Sequence, residues 1–351
     1  MKNITTIGID IAKNYLQIHG ADESGKCVLK KQVKREQLLP FMANLPKCLV
    51  GMEACSGAHH WARELYPLGF TVKLMSPLKV KKYVENNKND AQDAEACAEA
   101  VTRSHMRFVP IKTPEQLDTQ AIHRMRSHYV KQKTSLSNMM RGVLLEMGIA
   151  LPQGKAALIR KLRSLLEVDN TQLSQPLKNT FQRLYDNYKQ LDEEVGIYTA
   201  ALEKLAQEDA YCKRLCTVPG IGPITATAMI AKIGNGSEFH KGRELSAYLG
   251  LVPKQHSSGD RQKLLSISKH GDRYLRQLLI HGGRSSVQAA LRKNRTTTVF
   301  EKQDTHSQWM RKLVARVGMN KASVAVANKN ARIVLALLKA QRDFQPALAH
   351  G

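Results

Sequence analysis

The sequence predicts an α/β sheet at the N-terminus, a long helical hairpin in the middle and a small basic helical region at the end. Three observations predict it. Short β-branched runs alternate with helical periodicity over residues 1–76. Apolar residues then recur every three or four positions through two long stretches. Finally, the last two-fifths of the chain carries positive charge almost alone, with 24 Lys or Arg against 7 Asp or Glu in residues 211–351.

Taken in order, "NITTIGIDIA" is a β-branched run, and "YLQIHGA" and "CVLKKQVK" follow it after turn-like breaks as a three-strand meander. "REQLLPFMANL" reads as a helix, "CLVGMEA" as a buried strand, "AHHWARELYPLG" as a second helix and "FTVKLMSP" as a last strand. Three antiparallel strands followed by alternating helix and parallel strand is the order of a ribonuclease-H-like sheet. From Leu177, the residues Phe181, Leu184, Tyr188, Leu191, Val195, Tyr198, Leu202 and Leu205 form an a/d seam of about four heptads, the pattern of a coiled coil. A looser seam through Ile122, Met125, Tyr129, Leu136, Met139 and Val143 predicts a partner helix over roughly 114–147, with "GIALPQGK" as the break between the two. Both could simply pack on a core; the regular heptad favours a protruding hairpin that pairs with itself or another chain. The expected domains are 1–112, 113–208 and 209–351.

Composition sets the class of partner. The 351 residues carry a formal charge of +24, 42% apolar residues and only 5% aromatics. A charge this far from zero argues about partners rather than fold. Without 18 consecutive apolar residues a membrane-spanning helix is not expected, and "MKNITTIGIDIAK" has no signal-peptide pattern. Nucleic acid in the cytoplasm is the expected partner. The six cysteines lack a CxxC pair, which argues against zinc and for reduced thiols.

Four acids stand out against this basic background. Asp90 and Asp93 lie at i, i+3 on one helical face, and capping of the helix would be sufficient reason for them. Asp10 and Glu53, however, sit within the apolar strands "IGIDIA" and "LVGMEA", where acids are costly unless paired, hydrogen-bonded or bound to a cation. The first strand and the strand of Glu53 should be neighbours, with the helix of Asp90 above them. Converging carboxylates call for a hard divalent cation such as Mg²⁺, and two such ions can clamp both oxygens of a phosphoryl transfer.

Two further motifs follow. "VPGIG" with its Gly220 and Gly222 turns into an Ala/Thr-rich helix, a helix-hairpin-helix-like backbone perch for phosphate or an ordinary tight turn. "YLGLVPKQHSSGD" holds Ser257 and Ser258 before Gly259, flanked by Lys254, His256, Arg261 and Lys263. Such a cluster is commonly just a turn. Its functional reading is a serine hydroxyl held among cations and poised to attack a phosphodiester. Lys269 lies just beyond, and Arg273 and Arg276 share a face of the next helix.

The ordered set "GIDIAK", "GMEACSG", "KNDAQDA", "VPGIG", "YLGLVPKQHSSG" and "SISKHGDRYLRQLL" resembles the DEDD transposases of bacterial insertion sequences, the IS-one-ten and IS-eleven-eleven group that includes the Piv invertase. The resemblance spans nearly the whole chain. It implies a RuvC-like N-terminal domain, a coiled-coil insertion and a small helical C-terminal domain. It implies that Asp10, Glu53, Asp90 and Asp93 bind Mg²⁺, and that a serine attacks DNA to form a transient phosphoserine. By position before the glycine this serine is Ser258, with Ser257 the neighbouring alternative. It also implies a structured guide RNA, DNA element ends and target as partners, and homodimers or homotetramers in which one subunit's acids meet another's serine. The enzyme would be cytoplasmic and nucleoid-associated when active. The competing expectations are a metal-only junction-type endonuclease and a non-catalytic nucleic-acid-binding protein.

Overall fold

The computed structural model describes residues 3–84, 89–167, 169–258, 261, 263–296 and 305–345. The chain divides into two compact units, Met1–Thr113 and Pro114–Gly351.

The first unit is a six-stranded mixed sheet with helices on both faces. Its strands are β1 (Thr6–Ile11), β2 (Tyr15–Ala21), β3 (Cys27–Lys34), β4 (Leu49–Glu53), β5 (Thr71–Met75) and β6 (Phe108–Val109), in the spatial order β3-β2-β1-β4-β5-β6. The meander β1–β2–β3 is antiparallel, and β4 and β5 run parallel to β1 and to each other. Helices α1 (Leu38–Ala43), α2 (Ala58–Leu65), α3 (Pro77–Val80) and α4 (Asp90–Val101) complete it. The strands and helices expected up to Met75 are all present. The expectations did not include β6, a two-residue strand antiparallel to β5 and too short to leave a periodic signal.

Side chains alternate across a strand, and this sorts the residues. Ile7 and Ile9 of β1, with Val50 and Met52 of β4, are wholly buried on the face covered by α1 and α2, in a core with Leu38, Met42, Leu65 and Phe70. Gly8 and Asp10, and likewise Gly51 and Glu53, therefore belong to the opposite face, where α4 lies. The outer strand β3 has Lys30, Lys31 and Lys34 exposed, a usual way to keep a free sheet edge from pairing with another chain.

The second unit begins with α5 (Pro114–Glu146), followed by α6 (Lys155–Leu166) and α7 (Gln175–Glu208). Helix α7 lies along α5. Tyr129 stacks on Tyr198 with centroids 5.6 Å apart, Arg126 Nε donates to Thr199 Oγ1 at 2.8 Å, and Lys133 pairs with Asp192 at 2.8 Å. Most of the heptad positions of α7 are half-buried; Phe181, Tyr188 and Leu202 are fully buried. Helix α6 was not foreseen. Its Leu158, Leu162 and Leu165 pack with Met140, Leu144, Phe181 and Tyr185 from the two long helices.

Beyond α7 come α8 (Ala210–Cys216), α9 (Pro223–Ile233), α10 (Gly242–Tyr248), the hairpin strands β7 (Pro253–Gln255) and β8 (Leu264–Ile267), α11 (Arg273–Thr296) and α12 (Thr305–Ala340). Helix α12 is broken at Gly318, whose φ of 76° is non-helical. One core joins Leu215, Val218, Ile221, Met229, Leu245, Leu275, Leu279, Ala331 and Leu335. Within it the buried His123 ring contacts Tyr274 Oη at 3.1 Å and Thr227 Oγ1 at 3.0 Å. Burial pushes its pKa down to about 4, so the ring is neutral in this network near neutral pH. No helix among the described residues is long and apolar enough to cross a membrane.

Candidate active site

The acidic site begins with two glycines. In the parallel register of β1 and β4, Gly8 stands directly beside Gly51. A Cβ built on Gly8 would lie 2.0 Å from the carbonyl oxygen of Ala94, and one on Gly51 would lie 2.6 Å from that of Cys97. Any side chain at either position would hold α4 off the sheet. The helix meets this floor with small residues: Ala94 and Ala98 sit over Gly8, and Cys97 and Val101 are next to Gly51. These are i, i+4 pairs on one helical face. Two residues beyond each glycine, on the same face, come Asp10 and Glu53.

Asn89, not Asp90, caps α4. Its Oδ1 accepts from Gln92 N at 2.9 Å. The capping alternative for the two acids is thereby replaced: an asparagine performs that role, and Asp90 and Asp93 sit in the first turn with their carboxylates free of the cap bond. Close packing of α4 brings that turn over the end of β1. Oxygens of Asp10, Asp90 and Asp93 all lie within 4.8 Å of one another; Asp90 is exposed and the other two are half-buried.

Glu53 is not one of this triplet. It lies at the end of the adjacent strand, one place beyond the Ile9–Met52 pair, next in line to Asp10. The buried Cys97 thiol places it electrically. That thiol is held far above its ordinary pKa by burial first, then by the negative charges of Glu53, Asp10 and Asp93, while the backbone of Glu53 hydrogen-bonds to it. Cys55 is raised in the same way, by burial and then by Glu53 and Asp10. The four acids thus share one neighbourhood, with three in ligand-sharing range.

A hard cation fits this donor set. All donors are carboxylate oxygens, the preferred ligands of Mg²⁺ and Ca²⁺. Oxygens bound at roughly 2.0–2.6 Å from one ion lie no more than about 5 Å apart, as these do. All six cysteines are free, and none joins the acidic group, so a softer thiolate-bound metal is not what these residues offer.

The serine motif lies in the second unit, in the connection between the hairpin strands β7 and β8. Ser257 and Ser258 are exposed; Ser257 Oγ accepts from Gln255 Nε2 at 3.0 Å, and Ser258 bridges to Arg261 across the turn. Gly259 lies outside the described residues. Lys254, His256, Arg261 and Lys263 are all exposed around the serines. The root of the hairpin is closed tightly. Gly250 (φ 70°) packs against His270, and Gly271 (φ 94°) against Tyr248, where a Cβ would lie 2.1 Å and 1.9 Å from the respective carbonyl oxygens. Lys269, at the same root, has a positive φ of 57° and donates its N–H to Gly250 O.

Arg273 is exposed at the start of α11, but Arg276 is buried and donates from Nη1 to Leu249 O at 3.0 Å, bracing the hairpin root. At the "VPGIG" turn, Gly220 (φ 88°) presses against Gly282 of α11, and Asn330 Nδ2 donates to Pro219 O. Gly222 is exposed with open space beside it, at the N-cap of α9. Sequence reasoning passed over Gly8 and Gly51; the repeated spacing Gly-x-acid in "GID" and "GME" was the available signal.

Residues 212–298 match the transposase family described as IS116/IS110/IS902, and residues 7–149 match a DEDD transposase family of the IS110 type. The chain is 43% identical over 345 residues to a "probable family 20 transposase" of Pseudomonas aeruginosa, covering 98% of this chain and 99% of that one. The chain belongs to the IS110 group of DEDD-type transposases. It is also 42% identical to the transposase of insertion sequence element IS1111A from Coxiella burnetii, covering 98% of this chain and 92% of the relative. A more distant similarity, 25% over 292 residues, is to a pilin gene-inverting protein of Moraxella lacunata, with 78% and 80% of the two chains covered. The match over residues 7–149 runs through all the acids and the match over residues 212–298 through the serine hairpin, so both motifs fall inside the transposase family's own regions.

Proposed function

We propose that the chain is a transposase of an insertion sequence that cuts and exchanges DNA strands with four acids, a divalent cation and a serine. The convergence of Asp10, Asp90 and Asp93 carries the reading. In it, Asp10, Asp90 and Asp93 hold Mg²⁺ with Glu53 beside them, and the bound ion supplies charge stabilisation to a phosphate under attack. Ser258 Oγ loses its proton and forms a bond to phosphorus while the bond to the departing strand's oxygen breaks; the departing oxygen takes up one proton, so the exchange balances. Lys254, Arg261 and Lys263 hold the phosphate's negative charge around the serine. Lys269, Arg273 and the Gly220–Gly222 turn contribute backbone contacts along the DNA. Arg276 acts from beneath by holding the hairpin root.

Serine and acids lie in different units, so the reading requires them to meet, within one chain or across the subunits of a homodimer or homotetramer. A structured guide RNA choosing donor and target would account for a basic excess in a chain that must hold two kinds of nucleic acid.

The test is incubation with element-end DNA, guide RNA and Mg²⁺, followed by denaturing electrophoresis. A covalent protein–DNA adduct is expected with the wild type and none with Ser258→Ala or Asp10→Asn. An adduct that persists in Ser258→Ala moves the nucleophile to Ser257 or elsewhere. Free ends without an adduct in both wild type and Ser258→Ala would replace this reading with a metal-only endonuclease.

A further inference from the structure

At the end of β1 that carries Asp10, on the α2 side of the sheet, lies a groove of ≈ 570 Å³ lined by Lys13, Tyr15, Lys34, Arg35, Glu36 and Trp61. It forms where the β1–β2 turn meets the end of β3 and the face of α2. Arg35 N donates to Asn14 O at 2.9 Å, fixing one wall to the other. We propose that this groove is a binding site for single-stranded DNA, holding an unpaired nucleotide and its flanking phosphates at the sheet edge that carries the acidic cluster. The inference rests on the catalytic reading above, because it assigns the groove to the strand that is cut.

Charge is the first argument. Lys13, Lys34 and Arg35 are exposed, and none forms an ion pair with an acid among the described residues. Glu36 is the single acid in the lining, so the groove is net positive. Surface cations commonly point apart into water, but here one of them is held. The Arg35 guanidinium lies over the Trp61 ring, 5.0 Å from its centroid, and close to Gly57 in the loop that follows Glu53. A guanidinium stacked on indole keeps its N–H fork oriented and less free to turn away.

Aromatic content is the second argument. Tyr15 is 46% exposed, unusual for a large ring at the start of a paired strand. Trp61 is 5% exposed and lines the groove beneath the Arg35 guanidinium. Cations that track a backbone beside an exposed ring on which a base can stack make up the usual recognition surface for single strands.

Position is the third. Lys13 follows Asp10 by three residues, which span at most about 10 Å, and Arg35 reaches the loop beyond Glu53. A strand in the groove would lie at the same edge of the sheet as the acids, on the α2 side rather than the α4 side. A paired duplex would present sugar edges rather than base faces to Tyr15, so the groove selects a strand already opened.

The test uses the full-length chain in EDTA, where binding proceeds without cleavage. Photo-crosslinking of 5-iodouracil-substituted single-stranded DNA, mapped by mass spectrometry, is expected to label the peptide carrying Tyr15. Arg35→Ala should weaken single-strand binding about 10-fold and flatten the log–log salt slope by about 0.7. Arg35→Lys should restore the slope but not the full affinity. Tyr15→Ala should weaken binding at least about 5-fold with the slope unchanged, and Tyr15→Phe should bind as wild type. The assignment is overturned if Tyr15 is not labelled, if blunt duplex or single-stranded RNA labels it as strongly, or if Arg35→Ala and Tyr15→Ala bind as wild type. Asp10→Asn separates the two readings. It should retain the Tyr15 crosslink while losing cleavage; a wild type that crosslinks at Tyr15 but never cuts would sink the catalytic reading and leave the groove standing.

Discussion

The acidic floor of the first unit and the serine hairpin of the second are built to opposite plans. The acids stand on backbone packed against backbone, Gly8 and Gly51 beneath Ala94 and Cys97, with no room for a methyl group. The serines stand on a ribbon whose β7 residues are all exposed and whose β8 is exposed over most of its length. Only its root is packed, through Gly250, Gly271 and Arg276. A cation site must hold several oxygens to within a fraction of an ångström, and rigid elements do this better than loops. In the proposed reaction the serine must approach a phosphate held elsewhere, which calls for a fixed base and an accessible tip.

That contrast can be broken most directly at its tightest point. Gly8→Ala should destabilise the first unit by about 3 kcal/mol or more, because the methyl meets backbone that cannot step aside. Urea unfolding followed by circular dichroism reads this, and Mn²⁺ should no longer raise the melting temperature of whatever still folds. A variant of wild-type stability would show that α4 is not seated on the glycines. Next, Gly271→Ala should cost about 2–3 kcal/mol, since it combines a left-handed φ with contact to Tyr248 O. An unchanged unfolding midpoint would mean that the hairpin root is loose.

A smaller effect with an opposite sign is expected at Asp93. Asp93→Asn removes one of three mutually repelling carboxylates, so in EDTA the chain should gain about 1 kcal/mol. The same variant should lose the Mg²⁺-induced rise in melting temperature. A loss of stability in EDTA would mean that Asp93 is a structural partner rather than a ligand in waiting. Smallest of all, Ser258→Ala should leave stability within about 0.5 kcal/mol of wild type, as fits an exposed ribbon residue; a larger change would place that hydroxyl in the packing.

Much of this was legible in the sequence, for identifiable reasons. The strands of the first unit announce themselves because β-branched alternation and turn residues are local signals. Acids inside apolar strands are conspicuous because burial penalises them. The heptads of α7 recorded an apolar stripe truthfully but could not name what covers it, and the structure lays α5 of the same chain along it. The short strands β6 and β7 were missed because two or three residues carry no period. Capping of α4 was assigned to Asp90 as an alternative because Asn89 and Asp90 are equally good caps by residue type; only geometry separates them. Arg276 looked like a surface cation by its spacing from Arg273, yet one turn of helix is enough to move a guanidinium from solvent to the interior.

The asparagine cap of α4 has an electrostatic corollary. Because Asn89 is neutral, the helix's amino end stays uncompensated by its own cap, and it presents about half an elementary positive charge to Asp90 and Asp93. Part of the mutual repulsion of the acids is therefore offset by peptide dipoles that are permanently in place. The polypeptide can assemble its anionic pocket before any ion arrives.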